Sequence, residues 1–222
     1  EVKEVKGDAS VVVIRAKKRY VFDLTGELIA PPHQYRDPRF EGMAEKMHAL
    51  LPEVGIFGRT GIKTNFYNSS LHLLALHLKN PKLLTEADTL LFVPDILAYW
   101  LTGVKAVERT IASTSQLLNP HTGDWAFDVI EALGLPPKIF GKIVPPGTIL
   151  GNLRPDMQAT LGRSDIPLVV APSHDTASAV AGIPISGEET LWLSSGTWSI
   201  MGVEIRQPIT TPEALELGFC NE

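Results

Sequence analysis

Apolar residues recur along the chain in two rhythms, and glycines and prolines punctuate the stretches between them. From Ser69 to Lys79, Leu71, Leu74, Ala75 and Leu78 return every three or four residues, which predicts an amphipathic helix with His72 and His77 beside or opposite the apolar stripe. A second helix is expected from about Gly42 to Leu51, and a third from Trp125 to Leu133, stopped by Gly134 and Pro136-Pro137. Thr89 to Trp100 is the most apolar stretch; Pro94-Asp95 opens a helix there that closes at Thr102-Gly103, and the whole segment is expected in the core. Ser10 to Ile14 and Tyr20 to Leu24 are β-branched or alternating runs that suit strands, separated by the basic cluster Arg15-Ala16-Lys17-Lys18-Arg19, a solvated connection. Residues 141 to 165, rich in proline and glycine, read as loop and turn. Ile166 to Val170 then suits a buried strand, followed by a small-residue helix from Thr176 to Ala181. Two further strands, Thr190 to Leu193 and Trp198 to Val203, flank the turn Ser194-Ser195-Gly196-Thr197.

Composition narrows what such a chain does. With 222 residues, 44% hydrophobic and 20% charged, it is globular and long enough for one large domain or two small ones. A net charge of -5 and a pI near 5.7 argue against a nucleic-acid surface, which needs clustered Lys and Arg. The single cysteine, Cys220, excludes an internal disulfide framework and reads as an ordinary buried residue. No apolar run reaches the roughly 18 residues of a membrane span and no charged-then-apolar leader opens the chain, so it is expected in the cytoplasm without a membrane partner. It begins with Glu and ends just after a strand pair with little to pack it, as a piece of something longer would. His72 and His77 are five apart with no third ligand close by, so no metal site is expected there.

The residues suited to chemistry sit between Ile166 and Gly202. Asp175 falls at a strand-to-helix junction, where Ser and Asp ordinarily cap the helix. The same place is where open α/β sheets bring their ligands, and there a carboxylate serves as a base. The hydroxyl-rich turn from Ser194 to Thr197 fits a hairpin connection, and it also fits a phosphate cradle, because a glycine lets the backbone approach closely beside Ser and Thr donors.

Taken together, Ser173-His174-Asp175-Thr176-Ala177-Ser178-Ala179-Val180 and Leu193-Ser194-Ser195-Gly196-Thr197-Trp198-Ser199-Ile200-Met201-Gly202 resemble the rhamnulokinase group of the FGGY family of sugar kinases. Tyr35-Arg36-Asp37-Pro38-Arg39, Thr60-Gly61-Ile62 and the run from Phe92-Val93-Pro94-Asp95 to Thr122-Gly123-Asp124-Trp125 extend the likeness, so that it covers about residues 20 to 205. Arg36, Asp37 and Arg39 read as a salt-bridged structural loop. The resemblance implies an α/β, ribonuclease-H-like fold of the actin and sugar-kinase type, truncated at both ends. Residues 1 to 185 would belong to the N-terminal domain and 186 to 222 would begin the C-terminal one, with the phosphate loop and most of the ATP cleft outside this chain. It implies ATP and Mg²⁺ as cofactors, a small sugar as substrate, and phosphoryl transfer to the 1-hydroxyl of L-rhamnulose. Asp175 would be the catalytic base, His174 and Thr176 would line the sugar pocket, and Thr197 with Gly196 would hold ATP phosphate. Where the family carries Thr-Trp-Gly-Val-Asp-Phe, with its Gly against the sugar, this chain has Ile14-Arg15-Ala16-Lys17-Lys18-Arg19, so Ala16 takes the glycine's place. A kinase of L-fuculose or another ketose, and an inactive sugar- or nucleotide-binding remnant, are the alternatives left open.

Overall fold

The computed structural model describes residues 12–14, 37–184, 190–196 and 198–222. The expected basic cluster, the strand Tyr20 to Leu24, Ala16, Arg36, Thr197 and the expected domain border near 185 lie outside the described residues. Strand β1 (Val12–Ile14) pairs antiparallel with β2 (Thr89–Leu91), Val12 opposite Leu91 and Ile14 opposite Thr89.

Residues from Phe40 to Phe140 share one apolar core. It opens with a 3₁₀ turn (Pro38–Phe40), where the Asp37 carboxylate accepts the Arg39 backbone N–H at 2.9 Å and its Nε at 2.8 Å. This is the ion-paired loop expected there. Helix α1 (Met43–Leu50) buries Met43 and Met47, one turn apart, and α2 (Glu53–Thr60) buries Ile56 and Phe57 before ending on Gly61. In α3 (Ser69–Lys79) the stripe differs from the expected one: Leu71, Leu73, Leu74 and Ala75 are buried along with Ser69, Ser70 and His72, while Leu78 is 52% exposed. The first turns of α3 run inside the protein, so their polar groups need partners. The Ser70 hydroxyl donates to Gln116 Oε1 at 2.7 Å, and His72 stacks on Phe40 with Nε2 3.1 Å from the Phe66 carbonyl.

After α4 (Pro81–Glu86) and β2 comes α5 (Val93–Thr102), closed by Gly103 at φ 80. Phe92 and Ile96 are buried as expected, but Leu97 is 52% exposed. It faces an apolar hollow of about 240 Å³ whose walls include Leu101, Leu150 and Leu168. Asp95 binds the first turn of α5: one carboxylate oxygen accepts the Phe92 N–H at 3.1 Å and the other the Glu108 N–H at 3.0 Å. Burial pushes this carboxyl up from 3.8 to about 7, against the lowering effect of those two amides.

Strand β3 (Val107–Glu108) leads directly into α6 (Arg109–Ser113), and β4 (Leu118–Asn119) pairs with β5 (Asp124–Trp125). Helix α7 (Phe127–Ala132) is shorter than expected, because Trp125 is held in β5, its indole N–H donating to the Gly141 carbonyl at 2.7 Å and its ring edge-on to Phe140. The expectation of bare loop over 141 to 165 is overturned. β6 (Ile143–Val144) lies parallel to β3, and β7 (Ile149–Asn152) runs antiparallel to β8 (Pro167–Val169) with α8 (Pro155–Leu161) between them. β6 has only two residues, and an irregularity between Ile149 and Gly151 breaks the alternation in β7, so neither leaves a periodic signal. Nor is β8 the buried strand expected. Val169 is 55% exposed, and only Val170, just past the strand end, joins Ala106 and Val144 in a small second cluster.

Helix α9 (Asp175–Ala181) precedes the hairpin of β9 (Leu191–Ser195) and β10 (Ser199–Val203). Gly202 stands opposite Trp192, and a Cβ there would fall inside the indole's van der Waals envelope. The other face, Leu191, Leu193, Met201 and Val203, is open. α10 (Pro212–Leu217) follows, capped by Thr211. The chain end doubles back to α2. The Asn221 backbone N–H donates to the Gly61 carbonyl at 2.9 Å, and its side chain exchanges bonds with both backbone groups of Ile209. Cys220, expected buried, is exposed.

Two expectations for stability follow from Gly61 and Asp95. Gly61 has φ +67, and a Cβ there would lie 2.8 Å from the Asn221 side chain. Gly61→Ala should therefore cost about 1–2 kcal/mol in a urea melt and speed amide exchange at Asn221. Gly58→Ala, inside α2 with nothing nearer than 4.0 Å, should gain up to about 1 kcal/mol. Asp95 titrates higher in the fold than unfolded, so its contribution is present below its ordinary value and is lost as pH rises through about 7. Urea midpoints should fall across that window, by at most about 1.4 kcal/mol per pH unit for one proton, and Asp95→Asn should flatten the slope.

Candidate functional site

The loop from Ala171 to His174 carries the chain from β8 into α9. Proline at 172 ends the strand, and His174, at φ −76 and ψ 123, is the extended residue from which the helix starts. Asp175 is thus the first helical residue and not the cap. Its Oδ1 accepts the Thr176 N–H at 2.7 Å and lies 3.4 Å from the Thr176 hydroxyl, and the rest of the side chain is in solvent, 98% exposed. A carboxylate held so locally at one oxygen keeps its remaining lone pairs available, which a proton acceptor requires. The Ser178 hydroxyl donates to the Pro172 carbonyl and fastens the loop to the first turn of α9.

His174 lies between two carboxylates. Its Nε2 is 3.7 Å from Asp175 Oδ1 and its Nδ1 is 3.4 Å from Glu222 Oε2. Burial pushes the Glu222 carboxyl above its ordinary value, the His174 imidazole opposes that, and Asp175 adds to it. Glu222 reaches this place because Asn221 is fastened to Gly61. Tyr67 stands nearby, its hydroxyl pushed up by burial and then by Cys220 and Glu222, and its ring meets Trp198 edge-on at 5.8 Å between centroids. The structure therefore brings His174, Asp175 and Thr176 together, and α9 packs along β9, which leads into the Gly196 turn. The Gly196 N–H donates to the Trp198 carbonyl at 2.9 Å and closes that turn. What remains of the expected role for Gly196 is the open space beside it, where a Cβ would meet only the Trp198 carbonyl at 3.9 Å. Ala16 and Thr197 lie outside the described residues.

Beneath the loop are two residues that the sequence reading passed over. Glu108, 1% exposed, takes the Ser173 N–H at 2.9 Å on Oε2, and the Thr110 hydroxyl accepts the His174 N–H at 3.1 Å. Glu is not among the residues favoured at a helix start, and a contact 65 residues away leaves no local signal, so nothing in the sequence singled Glu108 out. The hollow beside α5 touches this loop at Ala171 and Ser173, and Asp175 is not among its walls. Among the described residues no group of three or more His, Cys, Asp or Glu side chains converges as a metal site, and no helix is long and apolar enough to cross a membrane.

Comparison of the chain with known proteins points to one family. The profile described as the FGGY family of carbohydrate kinases, N-terminal domain, covers residues 12–182. A protein named rhamnulokinase from Bacteroides thetaiotaomicron is 41% identical over 197 residues, which is 89% of this chain and 41% of the relative. One of the same name from Oceanobacillus iheyensis is 42% identical over 85% of this chain and 40% of its own. The chain thus spans about two fifths of the length of these relatives. Among solved structures, a ligand-bound xylulose kinase from Lactobacillus acidophilus superposes with a TM-score of 0.75 at 18% identity, covering 92% of this chain and 40% of that one. A carbohydrate kinase from Novosphingobium aromaticivorans does so at 0.71 and 25% identity, covering 94% and 43%. The fold is the α/β, ribonuclease-H-like architecture of sugar kinases, as the sequence implied. Because the profile takes in most of the sequence, the chain belongs to the FGGY family of carbohydrate kinases.

Proposed function

We propose that the protein carrying this chain transfers the γ-phosphoryl group of ATP to the 1-hydroxyl of L-rhamnulose, giving L-rhamnulose 1-phosphate, with Asp175 as general base. One observation carries the reading: the Asp175 carboxylate, beside His174, is 98% exposed, and among the described residues its hydrogen bonds stay within its own helical turn. The likeness to two proteins named rhamnulokinase, at 41% and 42% identity, supports the sugar. On this reading residues 1–185 belong to the N-terminal kinase domain and 186–222 begin the C-terminal one.

Phosphoryl transfer asks little covalent chemistry of the protein and much positioning. Asp175 takes the proton from the sugar hydroxyl as the hydroxyl oxygen attacks phosphorus. His174 and Thr176 hold the sugar, and Ala16 is the position at which the altered N-terminal segment would meet it. Thr197 supplies a hydroxyl to ATP phosphate. Mg²⁺, when bound, neutralises charge on the phosphate oxygens.

Steady-state turnover of the intact protein with ATP and a panel of L-rhamnulose, L-fuculose and D-xylulose tests the substrate. Preference for either of the other sugars by kcat/KM would displace L-rhamnulose, and no turnover of any ketose would favour the inactive remnant. Asp175→Asn should lower kcat by roughly 10²–10⁴-fold, because the amide cannot accept the proton. Its melting temperature and its Kd for ATP should stay near the parent values. Full kcat at saturating sugar and ATP would remove Asp175 from the mechanism.

A further inference from the structure

We propose that Glu108 and Thr110 are positioning residues for the reaction. They form a relay, rooted in the buried Glu108, that fixes the two amides immediately before Asp175 and so sets where its carboxylate points; this rests on the reading of Asp175 as the base.

The relay starts from a carboxylate with more donors than a helix cap needs. Glu108 precedes α6, and its Oε1 accepts the Thr110 N–H at 2.8 Å while Oε2 accepts the Ile111 N–H at 3.1 Å. Those two bonds complete an N-terminal cap. Oε2 nevertheless takes two more donors: the Thr110 hydroxyl at 2.5 Å and the backbone N–H of Ser173, 65 residues away, at 2.9 Å. The Thr110 hydroxyl, having given its proton to Glu108, has only lone pairs left, and one accepts the His174 N–H at 3.1 Å. Successive amides of the loop, Ser173 and His174, are thus bound to successive members of one hydrogen-bonded chain. Among the described residues Glu108 is met by hydrogen-bond donors and by no cation. Behind it, Asp95 accepts the Glu108 N–H at 3.0 Å, which ties the relay to the first turn of α5.

The chemistry selects these residue types. All four contacts reach Glu108 as donors, so a carboxamide, with its own NH₂ donors, could not replace the carboxylate. The hydroxyl of Thr110 must donate on one side and accept on the other, which Ser also does and Val does not. A base displaced by about 1 Å from the hydroxyl it serves loses on the order of 10²-fold in rate, so a loop held at both amides before the base is a rate determinant.

The test uses the intact protein with Thr110→Val, Thr110→Ser, Asp175→Asn and the Thr110→Val/Asp175→Asn double variant. It reads kcat, KM for sugar and ATP, melting temperature, and amide exchange at Ser173 and His174. Thr110→Val should raise exchange at His174 and lower kcat, each by about 10–100-fold, with KM for ATP unchanged, and Thr110→Ser should bring both back to within about 3-fold of the parent. The double variant should be no slower than Asp175→Asn alone, since a misplaced base and an absent one cost the same step. Thr110→Ala, which adds no methyl group, replaces Thr110→Val should the latter fail to fold. The proposal is overturned by parent-like kcat or parent-like His174 exchange in a folded Thr110→Val or Thr110→Ala protein, or by additive losses in the double variant. Full kcat in Asp175→Asn would defeat the reading of the base, and with it the catalytic role of the relay. Exchange at His174 would still report, separately, whether Thr110 holds the loop.

Discussion

A carboxylate taken almost wholly out of water must be fully bonded, and Glu108 meets that requirement by drawing together segments far apart in sequence. An unpaired buried charge costs several kcal/mol, so each donor that reaches Glu108 is under pressure to stay. The start of α6, the end of β3 and the loop after β8 converge on it, and Asp95 binds its backbone from α5. The helical core and the smaller cluster around Ala106, Val144 and Val170 are joined at this point by polar contacts, where the apolar hollow beside α5 leaves a gap in the packing. Fixed donors outlast rearrangement of side chains on the surface, which suits a loop that delivers a reactive group.

Local chemistry explains what was readable in the sequence. Helix ends were readable because Gly103 and Gly134 adopt left-handed backbone that other residues resist. Asp175 was readable because an apolar strand run, a proline and a small-residue helix bracket it. Exposure was not readable at Leu97, Val169 or Leu78, because each is as apolar as its buried neighbours and only the tertiary arrangement decides which faces open space. β6 and β7 left no trace because two residues, or four with a broken register, carry no period. In the site, His174 and Thr176 came with Asp175, being adjacent to it. Glu108 and Glu222 did not, since their roles depend on contacts across 65 residues in one case and on the fastening of Asn221 to Gly61, 160 residues earlier, in the other.

Gln116 shows the same principle on the far side of the core. It is fully buried at φ 64, a backbone state costly for a residue with a side chain. Its amide makes three of its four possible bonds: Oε1 accepts from Ser70, and Nε2 donates to the Ile62 carbonyl at 3.0 Å and to Thr64 Oγ1 at 2.9 Å. Three bonds to two separate segments outweigh about 1–2 kcal/mol of backbone strain. They also orient the segment after α2 that receives the chain end, so the position of Glu222 beside His174 depends in part on a residue far from either.

The placement of the four tryptophans divides the protein optically. Trp125, 4% exposed against Phe140, and Trp100 report on the helical part, while Trp192, flat on Gly202, and Trp198, 53% exposed beside Tyr67, both sit in the hairpin. A shielded indole emits at shorter wavelength than a hydrated one. Intrinsic fluorescence therefore carries a blue component from the core and a red one from the hairpin, and quenching by a soluble quencher reaches Trp198 before Trp125. Loosening of the hairpin alone changes the second signal and leaves the first in place, so the chain reports the order in which its own parts come undone.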